Sequence, residues 1–219
     1  MNKVYSTLIA ASLTAIASIG CSDVFVRSNA GENAKSEEAI SINQKPEELK
    51  VILPDHPWVK FFFSTFQEQI EKVGLKSLRI SVLPKDDVEL RVWHDAMPYQ
   101  VDGIVLSKTD NLWSGMHIYK DTKLKEGFLT KTTLPSPKSG WSEAWRKLES
   151  AGILILPDAS QVNCNHSALD GVSVIVEINS KKTYRAYRYS NPSLANCKEA
   201  KQIINISKII ADEFSIKVQ

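Results

Sequence analysis

Gly171-Val172-Ser173-Val174-Ile175-Val176-Glu177-Ile178 runs into Asn179-Ser180-Lys181-Lys182 and returns as Thr183-Tyr184-Arg185-Ala186-Tyr187-Arg188-Tyr189. Alternate residues of a strand face opposite sides, so Val172, Val174, Val176 and Ile178 share one face. A polar turn between two β-prone runs marks a hairpin. Pairing Ile178 with Thr183 sets Glu177 against Tyr184 and Val176 against Arg185. On that pairing Arg185, Tyr187 and Tyr189 lie on the valine side, where a guanidinium needs a partner. Asp158 or Asp170, in the preceding loop, could provide one.

Two readings of this cluster stay open. In one, the tyrosines pack in the core while Arg185 makes a structural ion pair. In the other, Arg185, Tyr187, Tyr189 and Asn191 line a pocket for a carboxylate, phosphate or glycan, because arginine suits planar anions and tyrosine suits sugar faces.

Upstream, the spacing predicts a helix from Pro57 to Val73, capped by Asp55 or His56 and stopped by Gly74. Trp58, Phe62, Phe66, Ile70 and Val73 form its apolar stripe. A short buried element is expected at Val51-Ile52-Leu53. Alternation predicts a hairpin from Leu78, Ile80 and Val82 through Pro84–Asp87 to Val88, Leu90 and Val92. A second pair, Val101 to Ser107 and Leu112 to Tyr119, turns at Thr109-Asp110-Asn111. Phe128 to Leu134 reads as an edge strand before Pro135-Ser136-Pro137. Further helices are expected at Trp141 to Ser150 and Lys198 to Ser215, with a short strand at Ile153 to Leu156. The fold class that results is α+β, an antiparallel sheet or meander with packed helices.

At the other end, Lys3 precedes an apolar, uncharged run from Val4 to Ile19 that closes on Ser18-Ile19-Gly20-Cys21. The layout is that of a secretory signal peptide, and at about 16 residues it falls short of the ~20 that span a bilayer as a helix. The motif resembles the lipobox of bacterial lipoprotein precursors: Gly20 matches the small residue before the cysteine, while Ser18 stands where leucine is usual. The resemblance implies that Cys21 becomes a lipidated N-terminus. Ser22, in place of an aspartate, implies outer-membrane sorting if the host is Gram-negative. The alternative is an ordinary signal peptide that leaves Cys21 as a plain thiol. The stretch from Gly152 to Pro192 weakly resembles uncharacterised bacterial envelope proteins, a likeness that carries no activity.

Domain organisation is then read as a signal peptide over 1–20, a lipidated start and polar tether over 21–50, and a globular domain over 51–219 with a possible sub-boundary near 135–140. With Cys21 lipidated, an exported compartment favours a Cys164–Cys197 disulfide, the alternative being two free thiols. A bridge closing ~33 residues is worth roughly 3–4 kcal/mol in the chain-entropy model.

Composition excludes several classes. The chain is 43% apolar and 24% charged with a net charge of +2, which argues against disorder and against a nucleic-acid-binding surface. His94-Asp95 and His117 read as isolated, and no ligand spacing points to a metal or cofactor. Ser160, His166 and Asp170 could form a triad, but no Gly-x-Ser-x-Gly elbow accompanies them. The leading expectation is a non-enzymatic, lipid-anchored module that binds an envelope protein, peptidoglycan or a small polar ligand. The alternatives are an envelope hydrolase using the 158–170 loop, or an inhibitor of an envelope-degrading enzyme.

Overall fold

A sheet of seven strands in the order β1-β7-β6-β2-β3-β4-β5 organises the computed structural model, which describes residues 48–97, 100–120, 129–164 and 171–216. The strands are β1 (Lys50–Ile52), β2 (Val88–Met97), β3 (Gln100–Thr109), β4 (Leu112–Lys120), β5 (Leu129–Thr133), β6 (Ser173–Ser180) and β7 (Thr183–Ser190). Every neighbouring pair is antiparallel except β1 with β7, so the α+β class stands but the sheet is mixed. Parallel neighbours need a long connection. Here it is nearly the whole domain, which no local pattern can reveal. β1 is also not the buried element expected: Val51 and Ile52 are 46% and 42% exposed, because they sit at the sheet edge. Strands on both sides of Pro135 and Pro137 belong to the one sheet.

Helices cover both faces. On one side α1 (Pro57–Phe61), a π-helical turn (Phe62–Phe66) and α2 (Gln67–Lys72) follow one another. His56 caps the start, its Nδ1 accepting the Trp58 N–H, and Gly74 follows the end at a φ of +82°. Trp58, Phe62, Phe66 and Ile70 are buried as the stripe predicts. They lie four apart, and on a regular helix each such step drifts by about 40°. The wider π turn offsets that drift and keeps the rings on the sheet. The opposite face holds α3 (Trp141–Ser150) and α4 (Lys198–Phe214), whose Ile203, Ile206, Ile210 and Phe214 pack on Leu90, Val92, Val174, Val176 and Ile178.

Two expected strands are absent. Residues Leu78–Ile80 form a 3₁₀ turn, with Leu78 buried but Ile80 and Val82 75% and 57% exposed. Side chains replace ladder partners there: Asn179 Nδ2 donates to the Leu78 and Ser81 carbonyls at 3.0 and 2.6 Å, and Arg91 Nη2 to the Lys76 carbonyl at 2.8 Å. Ile153 to Leu156 likewise forms turns, its carbonyls being taken by side chains described below.

The hairpin register also differs from expectation. Ser180 pairs with Thr183 and Ile178 with Arg185, leaving Lys181 and Lys182 as a two-residue turn at φ of 49° and 60°. Both positive angles belong to the turn that matches strand twist. The slip is two residues, an even number, so each side chain keeps its predicted face. Cys164 and Cys197 form the expected disulfide, with their Cα atoms 5.3 Å apart. The bridge ties the start of α4 to the loop before β6.

Candidate functional site

The polar ends of the cluster singled out by the hairpin bond the loop that precedes β6. Arg185 donates to the Leu154 and Leu156 carbonyls rather than to an aspartate. Tyr187 O–H donates to Ile153 O at 2.8 Å, and Tyr189 O–H to Pro157 O at 2.7 Å. These three side chains therefore satisfy the carbonyls of a loop that has no strand to pair with. Burial pushes both phenols up, so they stay protonated donors. Asp158 is 2% exposed and accepts from Trp58 Nε1, the Arg188 N–H and the Ser160 N–H at 3.2, 2.8 and 2.9 Å. It also accepts from the Ser160 hydroxyl, so that serine serves a cap. Asn191 is buried at a φ of 44°. Asp170 and His166 lie outside the described residues, as does Cys21.

Arg185→Ala is accordingly expected to lower stability by roughly 1–3 kcal/mol, since two part-buried carbonyls lose charge-assisted bonds. Chemical denaturation measures this. A variant with unchanged stability would contradict the scaffolding role.

The structure does join the histidines that sequence spacing left isolated. His94 stands directly across from Asp102 on β3, and His117 on β4 bonds Asp102 Oδ1 through Nε2 at 2.6 Å. His94 is 2% exposed, its Nε2 lies 3.1 Å from Ser207 Oγ on α4, and its Nδ1 has no partner among the described residues. Burial lowers its pKa from 6.5, with Asp102 opposing and His117 adding to the shift. A histidine held neutral by the fold contributes stability above its unfolded pKa and loses it as pH falls below that value. Stability is therefore expected to drop between about pH 7 and pH 5.5 by more in the native protein than in His94→Gln. Equal drops in parallel denaturation series would show that His94 is not the group responsible.

A groove opens at the other end of the same sheet face, where the hairpin turns meet α3. Its volume is about 620 Å³, within the roughly 300–1,000 Å³ of small-molecule sites. Trp113, at the start of β4, and Trp145, on α3, form one wall with ring centroids 5.3 Å apart and planes tilted by 42°. Trp141 stacks behind Trp113 at 5.9 Å and 2°, and itself leans on Phe214 at 5.6 Å. Neutral polar groups come from Asn111, Ser142 and Ser180, and charges from Lys85, Lys108, Lys181, Asp86, Asp87 and Glu149. Asp87 is engaged, accepting the Asp110 N–H at 3.2 Å. The three lysines, Asp86 and Glu149 make no ion pair among the described residues.

Ser142, Trp145 and Glu149 recur at helical spacing, so α3 presents all three on one side. Lys108 sits beside Trp113 because Thr109 and Leu112 close a turn on Asp110 and Asn111, both at positive φ. Helical spacing already puts Trp141, Trp145 and Leu148 on one face. Trp113 was only a strand residue, and nothing local joined it to them.

These features define a helix–sheet–helix α+β domain with a polar, aromatic-walled groove at one end. No protein-family model matches the sequence, and no curated protein matches it. Among the described residues no helix is long and apolar enough to cross a membrane, and no three metal-ligating side chains are placed to hold an ion.

Proposed function

We propose that this chain is an exported, lipid-anchored binding module of the bacterial envelope, and that its ligand site is the groove between Trp113, Trp145 and Lys108. The observation that carries the reading is the groove's chemistry. Half-buried indoles, neutral hydrogen-bonding side chains and unpaired charges converge in a cavity of ligand size. Aromatic walls with a few convergent polar groups are what small-ligand sites use to combine contact area with orientation. The anchor rests on the leader and on Ser18-Ile19-Gly20-Cys21. A tether after it would let the domain work away from the lipid surface.

A photo-reactive side chain placed at Ser142, which is exposed on the groove rim, tests the site in the native envelope. Capture of one defined component, lost on competition by that component, supports binding. Labelling no different from that of a probe at Lys201 on α4 rejects the groove. Intact-mass analysis tests the anchor: a diacylated chain starting at Cys21 is expected, and any unmodified N-terminus overturns it.

A further inference from the structure

We propose that the groove takes a zwitterionic sugar, a ring carrying both a carboxylate and a free ammonium group. This deepens the binding reading and rests on it.

The ring geometry argues for a sugar rather than a flat aromatic ligand. Trp113 and Trp145 touch at 5.3 Å and are tilted by 42°, so no planar slot lies between them for a sandwiched ring. What they offer is a bent platform. A pyranose lays its C–H face on one indole while its hydroxyls stand outward at the rim. Hydroxyl partners are present there, since the Asn111 amide and the Ser142 and Ser180 hydroxyls have no side-chain hydrogen bond to another described residue. The platform is held before any ligand arrives, because Trp141 stacks parallel to Trp113. Preorganisation of this kind lowers the ordering cost of binding.

The charge pattern argues for both signs on the ligand. Lys85, Lys108 and Lys181 line the groove together with Asp86, Asp87 and Glu149, so it has no net charge to attract a simple anion. The opposite charges are nevertheless left unpaired with one another. Asp87 alone is engaged, by a backbone N–H. A ligand carboxylate on the lysines and a ligand ammonium on Asp86 or Glu149 would satisfy both sets by contact.

The test compares muramic acid, which carries both charges, with glucosamine, glucuronic acid and glucose, and with the dipeptide alanyl-glutamate. Binding is followed by saturation-transfer NMR and calorimetric titration of the intact mature chain. Muramic acid is expected to bind tightest. Lys108→Gln and Glu149→Gln, both on the groove surface, should each weaken it about tenfold, the effect of one charge-assisted hydrogen bond. Trp113→Ala should abolish binding; if that variant fails to melt cooperatively, the two charge variants decide. Glucose binding as tightly as muramic acid overturns the charge assignment, and the dipeptide doing so overturns the sugar. Failure of every probe overturns the proposal, while a component captured from the groove would still support the binding reading.

Discussion

Glu177→Ala is expected to cost about 3–5 kcal/mol, a large share of the roughly 5–15 kcal/mol that holds a domain folded. Glu177 lies on the inner strand β6 with no exposed surface. Its Oε2 accepts the Trp93 indole N–H and its Oε1 the Tyr184 hydroxyl, each at 2.8 Å. Truncation leaves two buried donors with nothing to bond, at about 1–3 kcal/mol each, and a cavity beneath α1 and α2. Arg91, 2% exposed, stands directly across on β2 and would lose a neighbouring carboxyl. The Glu177→Leu, Tyr184→Phe pair removes one orphaned donor with its partner. It should therefore be less destabilised than the sum of the single changes. Urea denaturation of the four proteins makes the cycle, and strict additivity would show that the two side chains do not act together.

Gly103→Ala is expected to destabilise by about 3 kcal/mol, at or above the usual range for overpacking. Gly103 is paired across the strands with Trp93, whose ring occupies the space a Cβ would take. An added Cβ would overlap Cε3 and Cζ3 of that ring. The ring cannot swing aside without cost: it is fully buried, bonded to Glu177, and edge-on to Phe66 at 4.9 Å. Gly115→Ala is the control, because its Cβ would meet Trp141 Cη2, Leu134 Cδ1 and Leu134 Cβ at 3.0, 3.1 and 3.2 Å, tight contacts but not the overlap found at Gly103. A smaller loss is expected there. Equal thermal shifts for the two variants would mean that Trp93 yields as easily as Trp141.

Much of the fold was legible where signals are local. The stripe of Trp58, Phe62, Phe66 and Ile70, the Gly74 stop and the amphipathic run from Ile203 to Phe214 each mark a helix buried on one side. The faces of β6 and β7 were legible even though their register was two residues off, since an even slip preserves sidedness. Leu78 to Val82 misled because alternation cannot tell a strand from a turn whose carbonyls are claimed by Asn179, a residue about a hundred positions away. Arg185 gave a correct signal, a charge on an apolar face, with the wrong partner. Backbone carbonyls as acceptors leave no mark in a sequence.

The candidate site was legible only in pieces. Trp145 and Glu149 share a helical face, but Trp113, Lys85 and Lys181 reach them from three separate turns. His94, Asp102, His117 and Ser207 meet in the same way, from three strands and a helix. By itself the sequence determined most apolar faces and helix limits and made Cys164 with Cys197 the expected pair, because each follows from neighbours along the chain or from counting. Tertiary structure alone decided the mixed sheet, the β6–β7 register, the carbonyl partners of Arg185 and the convergence of the groove. Each of those depends on which distant strand becomes a neighbour, and that is settled by burying both faces of the sheet together.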